Sequence, residues 1–257
     1  MPEARSVSPS FRSASRSKWM RSSPSGPDPL DPGPCGFAHR GLHSGSAVPE
    51  NSLAAFAAAI DLGAGIECDL RLTADDQLVA FHDADARRLC ASALRIGESR
   101  WQDLAGLRVG GHPIPTLGSL LQLAIGKIPL LLEAKVDGDW RRWVPALQRE
   151  LAGYRGRFGI MTFDPRLCRL IRRPMPGVRR GLLLKDRQSS FERVAYMRIA
   201  APDFLGVERL ALGKRWVASA RQSMPVYAWT IRTAAERAQA EVQADALIWE
   251  GDGRPRN

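Results

Sequence analysis

From Gly36 onward the chain alternates short apolar runs with longer stretches in which apolar residues recur every three or four positions. The short runs predict strands over 36–39, 65–72, 78–82, 129–135, 158–162, 180–184, 203–207, 225–231 and 246–249. Helical spacing is clearest over 51–62, where Leu53, Phe56, Ala57 and Ile60 share a side, and over 117–125, 140–151 and 233–241. Strands alternating with helices predict βαβ units and a parallel sheet. Segment 78–82 is the exception: it follows the polar turn Ala74-Asp75-Asp76-Gln77 and so pairs back on its predecessor as a hairpin. Eight strand segments remain, which suits an α/β chain closed into a (β/α)8 barrel. A doubly wound open sheet is the competitor, but no glycine-rich dinucleotide or P-loop fingerprint is present.

Residues 1–35 break this texture. They are rich in Ser, Pro and Arg and poor in large apolar residues, so they are expected to form a disordered tail or an over-extended start, with the domain spanning 36–257. The tail lacks the apolar core of a secretory signal, and no run of about 18 apolar residues exists to cross a membrane. Net charge is +10, with 37 Lys and Arg against 27 Asp and Glu. No aromatic-interleaved basic motif accompanies that charge, so it favours a small anionic ligand over nucleic acid. The 4 cysteines form no C-x-x-C pair and no zinc spacing, as in a reducing compartment.

Candidate chemistry sits where strands end, the catalytic edge of such barrels. The first strand closes on His39-Arg40-Gly41, the second carries Glu67-Cys68-Asp69, the hairpin ends in His82-Asp83, and the next main strand runs into Glu133-Ala134-Lys135. Alternation puts Glu67 and Asp69 on one face, with Cys68 on the other. Carboxylates gathered at one mouth need a cation. With no thiolate among them, Glu67, Asp69 and Glu133 make a hard oxygen site for one divalent ion, Mg²⁺ or Ca²⁺. His39 and His82 suit general acid–base work, whereas His43 and His112 read as solvated loop residues. Arg40 and Lys135 add fixed positive charge, the complement of a phosphate. In Pro49-Glu50-Asn51-Ser52, Asn51 or Ser52 can cap the first helix, and Glu50 can project into the mouth.

His39-Arg40-Gly41, Pro49-Glu50-Asn51-Ser52, Glu67-Cys68-Asp69-Leu70, His82-Asp83, Pro115-Thr116-Leu117 and Leu132-Glu133-Ala134-Lys135 together resemble the glycerophosphodiester phosphodiesterase family. Thr162-Phe163 and Trp229-Thr230 extend the likeness, which covers Gly36 to Trp249. The resemblance implies a metal-dependent barrel that splits a glycerophosphodiester substrate into glycerol 3-phosphate and an alcohol. Glu67, Asp69 and Glu133 would then hold the metal, Arg40 and Lys135 the phosphate, and His39 and His82 would be base and acid. Glu50 would support the site, with Phe163 and Trp229 as apolar walls.

Two departures stand out. The usual Thr-Asp-Pro-like turn is replaced by Glu250-Gly251-Asp252-Gly253-Arg254-Pro255, which implies a truncated last helix. Segment 84–116 is short, as in the family's compact members, and with no signal peptide this favours the cytoplasm and no integral membrane association. Two other functions compete. One is a lysophospholipase D-like phosphodiesterase acting on lysophospholipids; segment 84–116, with Leu89, Leu94 and Trp101, can cap a small headgroup or admit a lipid tail. The other is a non-catalytic anion- or nucleic-acid-binding barrel.

Overall fold

A computed structural model describes residues 30–255. In chain order they form β1 (Phe37–Ala38), α1 (Leu53–Asp61), β2 (Gly65–Leu72), β3 (Leu78–Ala80), α2 (Arg87–Cys90), α3 (Trp101–Leu104), β4 (Arg108–Val109) and β5 (His112–Pro113). There follow α4 (Leu117–Ala124), β6 (Leu130–Ala134), α5 (Trp143–Leu151), β7 (Phe158–Thr162), α6 (Pro165–Ile171), β8 (Arg179–Leu184) and α7 (Ser190–Ala200). The series ends with β9 (Phe204–Glu208), α8 (Arg215–Arg221), β10 (Val226–Ile231), α9 (Ala234–Glu241) and β11 (Ala246–Trp249). Strands β1, β2 and β6 to β11 pair in parallel, and β1 bonds to both β11 and β2, which closes an eight-stranded barrel. β3 is the hairpin partner of β2, antiparallel with Leu70 opposite Ala80.

The alternation along each strand decides what faces the barrel axis. Ile66, Cys68 and Leu70 point outward into the layer shared with Phe56, Leu117 and Leu120 of α1 and α4. Leu131, Met161, Leu183, Phe204, Tyr227 and Ile248 fill the interior below the mouth. Space there is shared between large and small residues. A Cβ on Gly181 would lie 2.3 Å from the Phe204 ring, so that position admits no side chain.

Local signals start the helices. Ser52 and Thr116 accept bonds from the amides of Ala55 and Ser119, and Ser189 with Glu192 forms a capping box before α7. Ser52, not Asn51, is therefore the first cap. Segment 84–116 folds as a small annex: β4 pairs with β5, and Phe81, Ala86, Ile96, Leu104 and Ile114 make a cluster of their own. Leu89 and Trp101 pack on that cluster, while Leu94 is exposed. After β11 the described chain makes a single 3₁₀ turn, Gly251–Gly253, whose Gly253 carbonyl accepts from Arg237.

The expected tail falls largely on residues 1–29, outside the described residues. Leu30, however, is 1% exposed and closes the barrel floor among Phe37, Phe204 and Tyr227, so packing begins before Gly36. Leu30→Ala is expected to cost about 2–5 kcal/mol, read by chemical denaturation against wild type. A change below about 0.5 kcal/mol would show that Leu30 does not close the floor.

Candidate active site

The mouth holds a cluster of carboxylates that the described residues do not neutralise fully. Pairing of β2 with β6 puts Asp69 opposite Glu133, and alternation adds Glu67 on the same inward face. Oxygens of Glu67, Asp69 and Glu133 lie within 4.8 Å of one another, and all three residues are buried. Lys135 answers part of the charge, with Nζ 3.0 Å from Asp69 Oδ1 and 2.6 Å from Glu133 Oε1. Glu67 Oε1 is buried with no hydrogen-bond partner. Burial and the neighbouring carboxylates push Glu67 well above the ordinary carboxylate range, and burial pushes Glu133 up too. Burial opposes ionisation of Asp69 as well, but Lys135 and Arg40 hold it low. An orphaned carboxylate oxygen within reach of two others is what a hard divalent cation requires, so the residues present fit the implied metal.

The two histidines are held in the same way. His39 Nδ1 is 2.6 Å from Glu250 Oε2, and His82 Nδ1 is 2.7 Å from Asp83 Oδ1. Each carboxylate is itself fixed by an arginine. Arg232 Nε donates to Glu250 Oε1 at 2.6 Å, and Arg88 Nε donates to Asp83 Oδ2 at 2.6 Å. In the neutral ring a carboxylate at Nδ1 keeps the proton there and leaves Nε2 with its lone pair, and in the imidazolium the second proton sits on Nε2. His39 Nε2 points to the cluster, 4.0 Å from Glu67 Oε2. Burial lowers the pKa of both imidazoles, and the carboxylates beside them oppose that shift. The bond from His82 helps hold Asp83 down to about 2, against burial and beside Arg88.

The turn after β1 positions Arg40. Arg40 has φ of 58° and Gly41 of 77°, and a Cβ on Gly41 would lie 2.8 Å from the Ala55 backbone, so α1 packs directly on the turn. The Arg40 amide donates to Glu67 Oε2 at 3.0 Å, and its Nε lies 3.1 Å from Asp69 Oδ2. Glu50 faces the arginines, not the carboxylate cluster: Oε1 accepts from Arg40 at 2.8 Å and from Arg88 at 2.7 Å. Asn51 is buried and braces Asp69 twice, donating from Nδ2 to Oδ2 at 2.9 Å and accepting the Asp69 amide at 3.2 Å. Phe163 and Trp229 meet edge to face, 5.6 Å apart, on top of the interior core, with Lys185 Nζ 4.9 Å above the Phe163 ring. A cleft of about 500 Å³ opens between Lys135, Phe163 and Thr162 on one side and Tyr196 and Ile199 of α7 on the other.

The family model for glycerophosphoryl diester phosphodiesterases matches residues 39–250. The chain belongs to this family. It shares 26% identity with YhdW of Bacillus subtilis over 232 residues, which is 81% of this chain and 89% of that protein. It shares 30% with a glycerophosphodiester phosphodiesterase of Caldanaerobacter subterraneus over 162 residues, 57% of this chain and 65% of the relative. The fold is also that of an Oleispira antarctica phosphodiesterase solved with the product sn-glycerol-3-phosphate. The TM-score is 0.76 at 22% identity, covering 86% of this chain and 94% of that one. As a glycerophosphodiester phosphodiesterase family member the chain is an enzyme, a phosphoric diester hydrolase. Among its described residues no helix is long and apolar enough to cross a membrane.

Three residues that contact the cluster of histidines and carboxylates escape a reading by motif. Glu250 lies 211 positions from its partner His39, and nothing local marks it. Arg88 sits on a four-residue helix and ties Glu50 to Asp83. Arg71, the inward residue of β2 after Asp69, donates to the His82 carbonyl at 2.9 and 2.6 Å and pairs with Asp137. A fourth departure is His43. It is not simply solvated, for its Nε2 lies 3.8 Å from Glu250.

The raised carboxylates set a pH signature. Their folded pKa exceeds the unfolded value, so the metal-free folded state binds more protons above about pH 4.5 and loses stability through these groups as pH rises. A divalent ion must displace those protons. Its stabilising effect is therefore expected to grow from about pH 5 to about pH 8, read as the increase in Tm on adding Mg²⁺ or Ca²⁺. A Tm increase independent of pH would contradict a metal seated on Glu67 and Glu133.

Proposed function

We propose that this chain is a metal-dependent glycerophosphodiester phosphodiesterase that releases sn-glycerol 3-phosphate and an alcohol, with His39 and His82 as its proton-transfer pair. The observation that carries the reading is the pair of imidazoles, each fixed at Nδ1 by a carboxylate, beside the cluster of Glu67, Asp69 and Glu133. Held by those three carboxylates, a divalent cation would supply Lewis-acid charge to the substrate phosphate.

The chain's own groups do the rest. Arg40 and Lys135 hold the phosphate oxygens and meet the charge that builds on them as the phosphorus becomes five-coordinate. The substrate's glycerol 2-hydroxyl is the nucleophile, already next to phosphorus, so little entropy is lost on attack. His39 Nε2 takes the hydroxyl proton as the new O–P bond forms. His82 enters this half as the imidazolium, paired at Nδ1 with Asp83, and its Nε2 proton goes to the alcohol oxygen as that oxygen's bond to phosphorus breaks. Water then opens the cyclic phosphate with the roles reversed: His82 takes a proton from water and His39 returns one to the 2-oxygen. Glu250 and Asp83 stabilise each imidazolium in turn and hold its ring in place.

The test uses protein stripped with EDTA, glycerophosphocholine as substrate, and dehydrogenase-coupled detection of glycerol 3-phosphate. Activity is expected to return with Mg²⁺ or Ca²⁺ in wild type and to stay absent in Glu67→Ala. Full activity in the stripped enzyme, or restored activity in the variant, would overturn the reading.

A further inference from the structure

α7 shows apolar residues to the outside. Only Ala200 of it is fully buried, while Phe191 is 84%, Val194 48% and Ile199 46% exposed. A surface helix ordinarily turns such a stripe to the core. The helix also stands above its neighbour. The Arg180 guanidinium donates to the carbonyls of Cys168 and Ala200, so the last residue of α7 is level with the fourth of α6. Ten residues of α7 precede that level but only three of α6. At 1.5 Å per residue, α7 therefore reaches about 10 Å further toward the catalytic end, and Phe191 lies near its tip.

Positive charge surrounds that tip. The loop after β8 is tied to the loop after β9, since the Asp186 amide donates to Glu208 Oε2 at 2.8 Å and Lys214 Nζ lies 2.5 Å from Asp186 Oδ1. Residues 185–198 and 208–216 carry seven basic side chains against three acidic ones. The three acids are engaged: Asp186 with Lys214, Glu208 with the Asp186 amide, and Glu192 with the Ser189 amide. Arg187 and Arg215 are exposed with no ion-pair partner among the described residues, and Leu210 between these basic residues is 58% exposed. Across a two-fold axis this surface would meet its own positive charge, which disfavours a second copy and favours an anionic partner. The cleft from Lys135 ends on Tyr196 and Ile199 of this same helix.

We propose that α7 and the loop after β9 dock the catalytic mouth on an anionic phospholipid surface, with Phe191 in the interfacial layer, so that a membrane-borne phosphodiester reaches the site through the cleft beside Lys135. Aromatic and basic residues on one protruding face are the composition of an interfacial anchor. What the docked mouth hydrolyses rests on the phosphodiesterase reading above; the docking itself does not.

The full chain is to be sedimented with vesicles of phosphatidylcholine alone and of phosphatidylcholine with about 30% phosphatidylglycerol. Binding is expected to the anionic vesicles only and to weaken with salt. Phe191→Ser is expected to lower affinity about tenfold, and an Arg187→Glu, Arg215→Glu variant at least as much. Because Phe191 lies outside the catalytic groups, Phe191→Ser should hydrolyse soluble glycerophosphocholine at the wild-type rate. No binding to anionic vesicles, or equal binding by Phe191→Ser, overturns the docking. So does a concentration-dependent dimer lost in that variant, which would assign the face to a second copy. Vesicle binding without glycerophosphocholine hydrolysis would sink the activity and leave the docking standing.

Discussion

His39→Ala and His82→Ala are each expected to lower kcat by about 10²–10⁴-fold, with little change in far-UV circular dichroism. Each imidazole is fixed at Nδ1 by a carboxylate and each carboxylate by an arginine, so only Nε2 of each ring is free for proton transfer. The reaction needs both a base and an acid in each half, and no other described histidine is fixed at Nδ1 by a carboxylate. Glu250→Gln is the informative companion. It keeps an oxygen acceptor for His39 but removes the charge that stabilises the imidazolium, so kcat should fall by about tenfold or more while KM holds. Both alanine variants staying within a few-fold of wild type would remove these residues from the mechanism. A Glu250→Gln effect confined to KM would make Glu250 a binding group and not a support for the base.

Much of this site was legible because its parts lie at strand ends. Period-two alternation was enough to place Glu67 and Asp69 on one face and Cys68 on the other, and in β2 that shared face is the barrel axis. The hairpin of β3 followed from its turn residues. Strand limits were less legible. Only Phe37 and Ala38 of the first run make ladder bonds, because Arg40 and Gly41 turn the chain toward α1. The hairpin stops at Ala80, so that His82 lies on a loop and is steadied by Arg71 through its carbonyl. The helices α6 and α8 are seven residues each, too short for a strong apolar period, and α7 carries its apolar residues outward. Glu250, Arg88 and Asn51 could not be assigned in advance for a common reason. Each acts through a contact with another element of the fold, Glu250 with His39, Arg88 with Glu50 and Asn51 with Asp69, and register between elements has no local signature. In Pro49-Glu50-Asn51-Ser52 the capping chemistry of Ser and Asn is equivalent in sequence. Only the fold shows Ser52 on the helix amide and Asn51 on Asp69.

Glu67→Gln is expected to abolish activity, by about 10³-fold or more, and at the same time to raise the Tm of the metal-free protein. The two effects share one cause. Glu67 is fully buried, its Oε1 has no hydrogen-bond partner among the described residues, and Asp69 and Glu133 lie within reach, with Lys135 and Arg40 as directly paired counter-charges. Without a cation, an ionised Glu67 is repelled by both neighbours and by its own desolvation, as its raised pKa records. A carboxamide has almost the same shape, removes the charge, and can donate to the adjacent carboxylates. The folded state then gains at neutral pH, where the unfolded chain would otherwise ionise this residue freely. The same change removes an anionic ligand, so divalent-ion affinity measured by calorimetry should fall together with activity. An active Glu67→Gln would exclude Glu67 as a ligand. An inactive variant with a lowered metal-free Tm would instead mean that the acidic cluster is neutralised within the chain and gains nothing from a cation. The crowding of charge at the mouth is therefore tested by stability, independently of turnover.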